Sequence, residues 1–160
     1  MTAQTTLDAI EAFLAHKRIA MVGVSRDPKH FSVMLFREFF RRGYEVIPVN
    51  PKAVTIEGKP CFARVQDVQP PVEAALLMTP AEATEAAVKD CADAGIKHVW
   101  MYSAGQGGAL SLPAVVFCRE HGIDVVAGEC PYMFFPKNGF HKIHGWVRKI
   151  SGSWPKQQAV

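Results

Sequence analysis

The sequence lacks the marks of several protein classes. No stretch approaches the ~20 continuous apolar residues of a membrane-spanning helix, and the opening MTAQTTLDAIEAF has neither the basic segment nor the apolar run of a secretory signal. The 4 cysteines are widely separated with no C-x-x-C pair, so the spacings of zinc sites and redox motifs are absent. We expect a cytoplasmic protein with reduced thiols and no association with a membrane.

Composition points to one ordinary globular domain. The chain has 160 residues, of which 49% are apolar and 21% charged, and a chain of this size builds a core without disulfides or metals. The formal net charge is only +3. This charge suits an anionic small-molecule ligand and does not require nucleic acid as a partner.

Short apolar runs alternate with segments of helical periodicity along the chain. This alternation predicts an α/β fold, a single Rossmann-like doubly wound five-stranded parallel sheet with helices on both faces. Ligands of such sheets bind beyond the carboxyl ends of the strands, near the switch in strand order. The predicted strands are 19–24, 45–49, 74–78, 97–101 and 123–127, and the predicted helices are 6–16, 32–42, 80–94 and 113–121.

The loop after the first strand is a candidate anion site. Gly23 allows the backbone to approach a phosphate, and the following helix offers unpaired N–H groups and a positive dipole end. Ser32 either caps that helix or donates to a phosphate. A plain strand-to-helix turn with a serine cap fits the same residues. The other candidate contacts in this loop are Val24, Ser25, Arg26 and Lys29, with His30 as a further one.

Two signals of dinucleotide binding are missing. The G-x-G-x-x-G fingerprint fails because residues 24–25 and 30–31 stand where glycines would be needed. The second strand ends in Asn50, Pro51 and Lys52 rather than in the acidic residue that grips a ribose. Both failures count against NAD, although an NAD(P)-binding oxidoreductase-like protein stays an alternative.

Several motifs make the chain resemble a known family. They are V-G-V-S at 22–25, G-Y-E-V-I-P-V-N-P at 43–51, I-E-G at 56–58, A-G-I-K at 94–97 and G-I-D-V-V at 122–126. Over residues 7–135 the chain resembles the CoA-binding protein family, the stand-alone relatives of the CoA-binding domain of the succinyl-CoA synthetase α subunit. The resemblance implies a protein that binds coenzyme A or an acyl-CoA.

The resemblance also implies positions for the parts of coenzyme A. Residues 23–25 with Ser32 would hold the pyrophosphate, and Lys52 would lie near the adenosine 3′-phosphate. A solvated turn lysine is the alternative for Lys52, and a helix N-cap in a capping box is the alternative for Thr79. The remaining implied contacts are Val49 and Asn50 at the adenine and ribose, Pro51 beside them, Thr79 and Pro80 at the third strand, and Gly105 after the fourth.

No catalytic constellation is evident in the sequence. None of the 6 histidines stands beside a serine or cysteine nucleophile with an acidic partner. Cys130, just after the fifth strand, is the one thiol that suits an acyl-CoA-handling enzyme, although a buried, inert cysteine is the commoner case. The sequence therefore favours a binding protein over an enzyme.

The last residues differ from the rest. We divide the chain into a CoA-binding domain at 1–135 and a basic, aromatic tail at 136–160. The tail predicts an amphipathic helix that docks on the domain or on a partner subunit, which is compatible with a homodimer, and this interpretation is favoured over nucleic-acid binding. A protein-interaction module is the third alternative for the chain. The apolar positions of the tail are Phe140, Ile143, Val147 and Ile150, and its weak metal-site candidates are His141 and His144.

Overall fold

Five parallel strands form the centre of the fold in the computed structural model, which describes residues 6–105 and 107–135. They lie in the order β2-β1-β5-β6-β7, and a short antiparallel hairpin, β3–β4, stands apart from them. The predicted five-stranded parallel sheet is confirmed. The strands are β1 (Arg18–Val22), β2 (Glu45–Val49), β3 (Thr55–Ile56), β4 (Lys59–Pro60), β5 (Ala74–Leu77), β6 (His98–Tyr102) and β7 (Asp124–Glu129).

Helices cover both faces of the sheet, as predicted. They are α1 (Leu7–Ala15), α2 (Phe31–Arg41), α3 (Ala81–Asp93) and α4 (Leu112–Glu120). In β6 successive side chains enter opposite cores: Trp100 packs with the buried residues of α1 and α2, whereas Val99 and Met101 pack with those of α3 and α4. Strands buried on both faces carry apolar side chains at every position, which is why the strand runs were readable in the sequence.

Two helix caps that the sequence suggested are wrong. Thr79 does not cap α3, because the N-cap is Pro80, which makes no side-chain capping bond, and the Thr79 hydroxyl instead lies 3.0 Å from that of Thr84. Ser32 does not cap α2, because His30 holds that position and its ring accepts a hydrogen bond from the Ser32 N–H. In both cases the helix starts one residue away from where the sequence pattern placed it.

The hairpin β3–β4 was not predicted. Its turn is formed by Glu57 and Gly58, which have φ values of 52° and 71°, the positive values that a two-residue hairpin turn of this kind requires. Beyond it, Phe62 pairs with Val49 in an isolated parallel bridge, and the Asn50 N–H donates to the Phe62 carbonyl. The hairpin therefore stands at the carboxyl end of β2.

Candidate functional site

Gly23 lies where the strand order reverses, directly after β1 and between β2 and β5. Its φ is +87°, and a Cβ atom there would lie 3.0 Å from the carbonyl carbon of Met78 and 3.0 Å from the nitrogen of Thr79. Its N–H donates to the Val49 carbonyl at 2.9 Å. Only glycine fits this position without strain, and it brings the backbone of three strand ends together.

Ser32 shapes the loop that follows Gly23. Its hydroxyl accepts a hydrogen bond from the Ser25 N–H at 2.9 Å and lies 2.8 Å from Nδ1 of His30. Because that ring nitrogen already accepts from the Ser32 N–H, the hydroxyl donates to it. Ser32 is fully buried and its hydroxyl is satisfied inside the loop, so its phosphate contact stays a prediction.

Asn50 joins the loops that follow β1 and β2. Its side-chain Nδ2 donates to the Val24 carbonyl at 2.8 Å, and its Oδ1 accepts from the Lys52 N–H at 2.8 Å. The side chain is therefore a clamp between the two loops. It fixes the backbone from which Lys52 projects.

A cation-lined cavity of about 300 Å³ lies on the α2 side of these loops. The described residues that line it include two cationic ones, Arg26 and Lys52, and one acidic one, Glu57. Arg37 binds the Glu57 carboxylate with hydrogen bonds of 2.6 and 2.8 Å. That pairing lowers the pKa of the Glu57 carboxyl. The full lining is Ser25, Arg26, Pro28, Val33, Lys52, Ala53, Val54, Thr55, Ile56 and Glu57.

An apolar cavity of about 320 Å³ lies on the α3 side of the same loops. Its polar groups include an ion pair, Arg64 with Asp90 at 3.3 Å, and the Thr79 hydroxyl. The same two loops separate the two cavities. Gly23 and Pro51 line the apolar cavity, whereas Ser25 and Lys52, which lie close to them in the sequence, line the cation-lined cavity. The full lining is Val22, Gly23, Val49, Pro51, Ala63, Arg64, Val65, Thr79, Ala83, Ala86, Ala87 and Asp90.

The structure brings together most of the residues that the sequence singled out. Gly23, Ser25, Arg26, Val49, Pro51, Lys52 and Thr79 line one cavity or the other. The other predicted contacts line neither cavity: Val24, Lys29, Ser32, Asn50, Pro80 and Gly105. Of these, Val24 and Ser32 are buried and Gly105 lies in the loop after β6.

Other site residues could not be found from the sequence. Glu57 enters the cation-lined cavity only because the hairpin folds over it, and Ala83, Ala86 and Ala87 line the apolar cavity as one face of α3. The I-E-G motif was visible, but two-residue strands have no periodicity to reveal a hairpin. No sequence pattern marked the three alanines of α3 as residues that line a cavity.

Cys130 is a poor nucleophile in this structure. It is buried, and burial raises the pKa of its thiol, so the reactive thiolate is scarce at neutral pH. It lines neither cavity. Within residues 6–105 and 107–135, no group of three or more histidine, cysteine or acidic side chains is placed to hold a metal ion. The predicted His141–His144 pair lies outside the described residues.

An open parallel sheet with a close-packed glycine at its switch point, flanked by a cationic and an apolar cavity, defines a protein of Rossmann-like α/β fold. The family follows from comparison. A model of the CoA-binding domain matches residues 17–136, and the chain belongs to that family, as the motifs of the sequence predicted.

Curated relatives include an enzyme subunit and a small protein. The chain is 23% identical over 128 residues to the α subunit of an ADP-forming acetate–CoA ligase II of Pyrococcus furiosus, a match over 76% of this chain but 28% of that subunit. It is 25% identical over 114 residues to the uncharacterized protein YneT of Bacillus subtilis, over 71% of this chain and 82% of that protein. The chain thus spans under a third of the ligase subunit.

Solved structures share the whole fold. A hypothetical protein from Pyrococcus horikoshii superposes with a TM-score of 0.72 at 26% identity, covering 82% of this chain and 94% of the other. A protein from Thermus thermophilus gives 0.68 at 26% identity, over 85% and 96%. Small proteins that consist of little more than this fold are therefore among its structural relatives.

Proposed function

We propose that this protein binds coenzyme A or an acyl-CoA at the carboxyl edge of its sheet and catalyses no reaction of its own. One observation carries the proposal: the loops at the switch point separate a cavity with two cations from an apolar cavity of similar size. A nucleotide with phosphates at one end and a base at the other fits such a pair. Membership of the CoA-binding domain family supports coenzyme A as that nucleotide.

The phosphates belong in the cation-lined cavity. Arg26 and Lys52 enter it from the loops after β1 and β2, and the N-terminal end of α2 adds its positive dipole. Lys52 would meet the 3′-phosphate and Arg26 the pyrophosphate. Lys29 is exposed on the same loop and would add long-range attraction for the ligand.

The adenine belongs in the apolar cavity. Its walls offer Val49 and Pro51 from the end of β2 and the alanine face of α3, opposite Thr79. Aromatic bases bury well against aliphatic walls. Gly105 in the loop after β6 would border the pantetheine arm, which has to leave the switch point on the side away from β2.

The absence of catalysis is proposed from the chemistry of the site. Among the described residues that line the two cavities, the carboxylates are Glu57 and Asp90, and each is paired with an arginine. The described lining residues include no cysteine or histidine. A nucleophile beside a general base, which covalent catalysis needs, is therefore not formed by these residues.

Other properties of the protein are proposed on the same basis. We propose a cytoplasmic protein without a nucleic-acid partner, in which residues 136–160 dock on the domain or on a second copy. Among the described helices, none has the length and apolarity needed to cross a bilayer.

A thermal-shift panel tests the choice of ligand. We expect millimolar CoA to raise the melting temperature of the full chain, because a ligand that binds only the folded state stabilises it. NAD and NADP should give little or no shift. A larger shift with NAD or NADP than with CoA would replace the proposal with the oxidoreductase-like alternative.

A further inference from the structure

Arg37 contacts both walls of the cation-lined cavity from outside it. The side chain lies on α2, where its Nε and Nη2 donate to the two oxygens of Glu57 at 2.6 and 2.8 Å. Its Nη1 donates to the Pro28 carbonyl at 3.3 Å. Pro28 belongs to the loop after β1 and Glu57 to the hairpin, and both line the cavity. One guanidinium thus joins two walls that are far apart in sequence.

The hairpin is also attached through Ile56 of β3, which is buried in the core together with the apolar side chains of α2. The Lys59 ammonium lies 4.6 Å from the centre of the Phe40 ring on α2, and the Val49–Phe62 bridge fixes the chain only beyond β4. In the described part of the chain, the β3–β4 sheet consists of these two short strands. A two-stranded hairpin of this size is not stable by itself, so its position depends on such contacts.

Arg37 also compensates the negative charge of Glu57. Among the described residues that line the cavity, Glu57 is the one that carries a carboxylate, and Arg26 and Lys52 are the cationic ones. Without Arg37 this carboxylate would repel a phosphate and compete with it for the two cations. A bidentate guanidinium–carboxylate pair fixes the direction of the carboxylate and compensates its charge.

We propose that Arg37 is a positioning residue for the phosphate end of the ligand. Its hydrogen bonds hold the hairpin against α2 and against the loop after β1. Its charge keeps Glu57 from competing with phosphate for Arg26 and Lys52. The role rests on the proposed binding of coenzyme A. Arg37 itself does not line the cavity and acts through Glu57.

Calorimetric titration of CoA into variants of the full chain tests this role. Arg37→Gln should weaken CoA binding by about fivefold, which corresponds to the upper end of what an exposed ion pair supplies. Arg37→Lys should retain part of the affinity, because it keeps the charge but loses the bidentate geometry. Arg37→Gln combined with Glu57→Gln should recover part of the loss, since the competing carboxylate is gone.

Arg41→Gln is the matched control. Arg41 lies one turn further along α2, is exposed, and pairs with Glu38 away from the cavity. It should leave CoA affinity unchanged. Unchanged affinity in Arg37→Gln, an equal loss in Arg41→Gln, or no recovery in the double variant would overturn the positioning role.

Hydrogen exchange separates this inference from the proposed function. In the protein without ligand, Arg37→Gln should speed amide exchange at residues 54–60 and leave the central strands unchanged. If wild-type protein fails to bind CoA, the proposed function is wrong, and the exchange rates alone decide whether Arg37 holds the hairpin in place. Unchanged exchange at residues 54–60 in Arg37→Gln would show that it does not.

Discussion

At the scale of single residues, backbone geometry at Gly23 sets the site. A side chain there would require both a positive φ and displacement of the β5 end, whose backbone atoms at Met78 and Thr79 lie 3.0 Å from the position of a Cβ atom. Gly43 shares the positive φ, +85°, but no atom of the described residues lies within 4 Å of the position that its Cβ atom would take. Comparing the two glycines therefore separates the strain of a positive φ from the steric clash that a Cβ atom would make with neighbouring backbone.

We predict that Gly23→Ala is more destabilising than Gly43→Ala. Gly43→Ala is the control, and it should lower the free energy of unfolding by about 1 kcal/mol for the positive φ alone. Gly23→Ala should lower it clearly more, because main-chain atoms must shift. Urea denaturation of both variants measures the difference, and CoA titration should show a loss only for Gly23→Ala. Equal destabilisation by the two substitutions would mean that the close approach at Gly23 is unimportant.

Single-residue roles were predictable from the sequence only where the residue type dictates them. The place of Gly23 could be predicted, because a glycine directly after β1 allows close backbone approach. For Lys52 the sequence left a phosphate contact and a solvated turn lysine open, and its phosphate contact stays a prediction. The hydrogen bonds of Ser32, Asn50 and Thr79 could not be predicted, because hydroxyls and amides bond to whichever polar group the fold brings near. Those partners, Ser25, Val24 and Thr84, depend on the folded loops.

At the scale of elements, a histidine pair joins α1 to the amino edge of the sheet, opposite the site. The rings of His16, which follows α1, and His98, which begins β6, have centroids 4.6 Å apart. Carboxylates lie near both, with Glu73 at 3.8 Å from His16 and Asp124 at 3.6 Å from His98. Burial and then the proximity of His16 lower the pKa of His98, and the two carboxylates oppose this only in part.

The lowered pKa of His98 predicts acid sensitivity. The unfolded chain takes up the proton near the ordinary pKa of 6.5, whereas the folded protein does so only at lower pH. The stabilisation by neutral His98 is therefore complete above pH 6.5 and is lost as the pH falls from there through the folded pKa. We expect the urea midpoint to fall between pH 7.5 and pH 5.5.

Two variants assign this pH dependence. His98→Gln should reduce the fall in the urea midpoint, because the titrating group is gone. His121→Gln, which changes an exposed histidine at the end of α4, should retain it. If the urea midpoint of His98→Gln falls as much as that of the wild type, His98 is not the source of the pH dependence.

Elements were predictable where periodicity and length made them distinct. Buried parallel strands such as β5 are continuous apolar runs, and amphipathic helices such as α2 carry a regular stripe. The hairpin β3–β4 was missed because each strand has only two residues, and because Arg37 of α2 bonds to Glu57 of the hairpin from 20 positions away in the sequence. Contacts of that kind leave no local pattern.

At the scale of the whole molecule, the end of the described chain lies against α2. The Phe135 ring packs edge-to-face on Phe39, with centroids 4.9 Å apart, and the Arg42 guanidinium lies 4.4 Å from the Phe135 ring centre. Residues 136–160, which follow, lie outside the described residues. Their predicted docking, on the domain or on a second copy, therefore stays a proposal.

Truncation after residue 135 tests that proposal. Because the apolar positions of the tail recur at spacings of three and four, we expect their removal to lower the melting temperature or to convert a dimer into a monomer. Thermal unfolding and sedimentation of the two chains measure this. Unchanged stability and mass, together with salt-dependent nucleic-acid binding by the full chain alone, would favour the nucleic-acid interpretation.

Calorimetric titration of CoA and dephospho-CoA into wild type, Lys52→Ala and Lys97→Ala tests the central claim most directly. Lys97 precedes β6 at the opposite edge of the sheet and serves as the control. We predict that the wild type binds CoA and that Lys52→Ala weakens CoA roughly tenfold, since one charge-assisted bond to the 3′-phosphate is lost. Dephospho-CoA affinity should hardly change. No binding of CoA by the wild type at millimolar concentration would contradict the account, and an equal loss for both ligands would remove Lys52 from the 3′-phosphate.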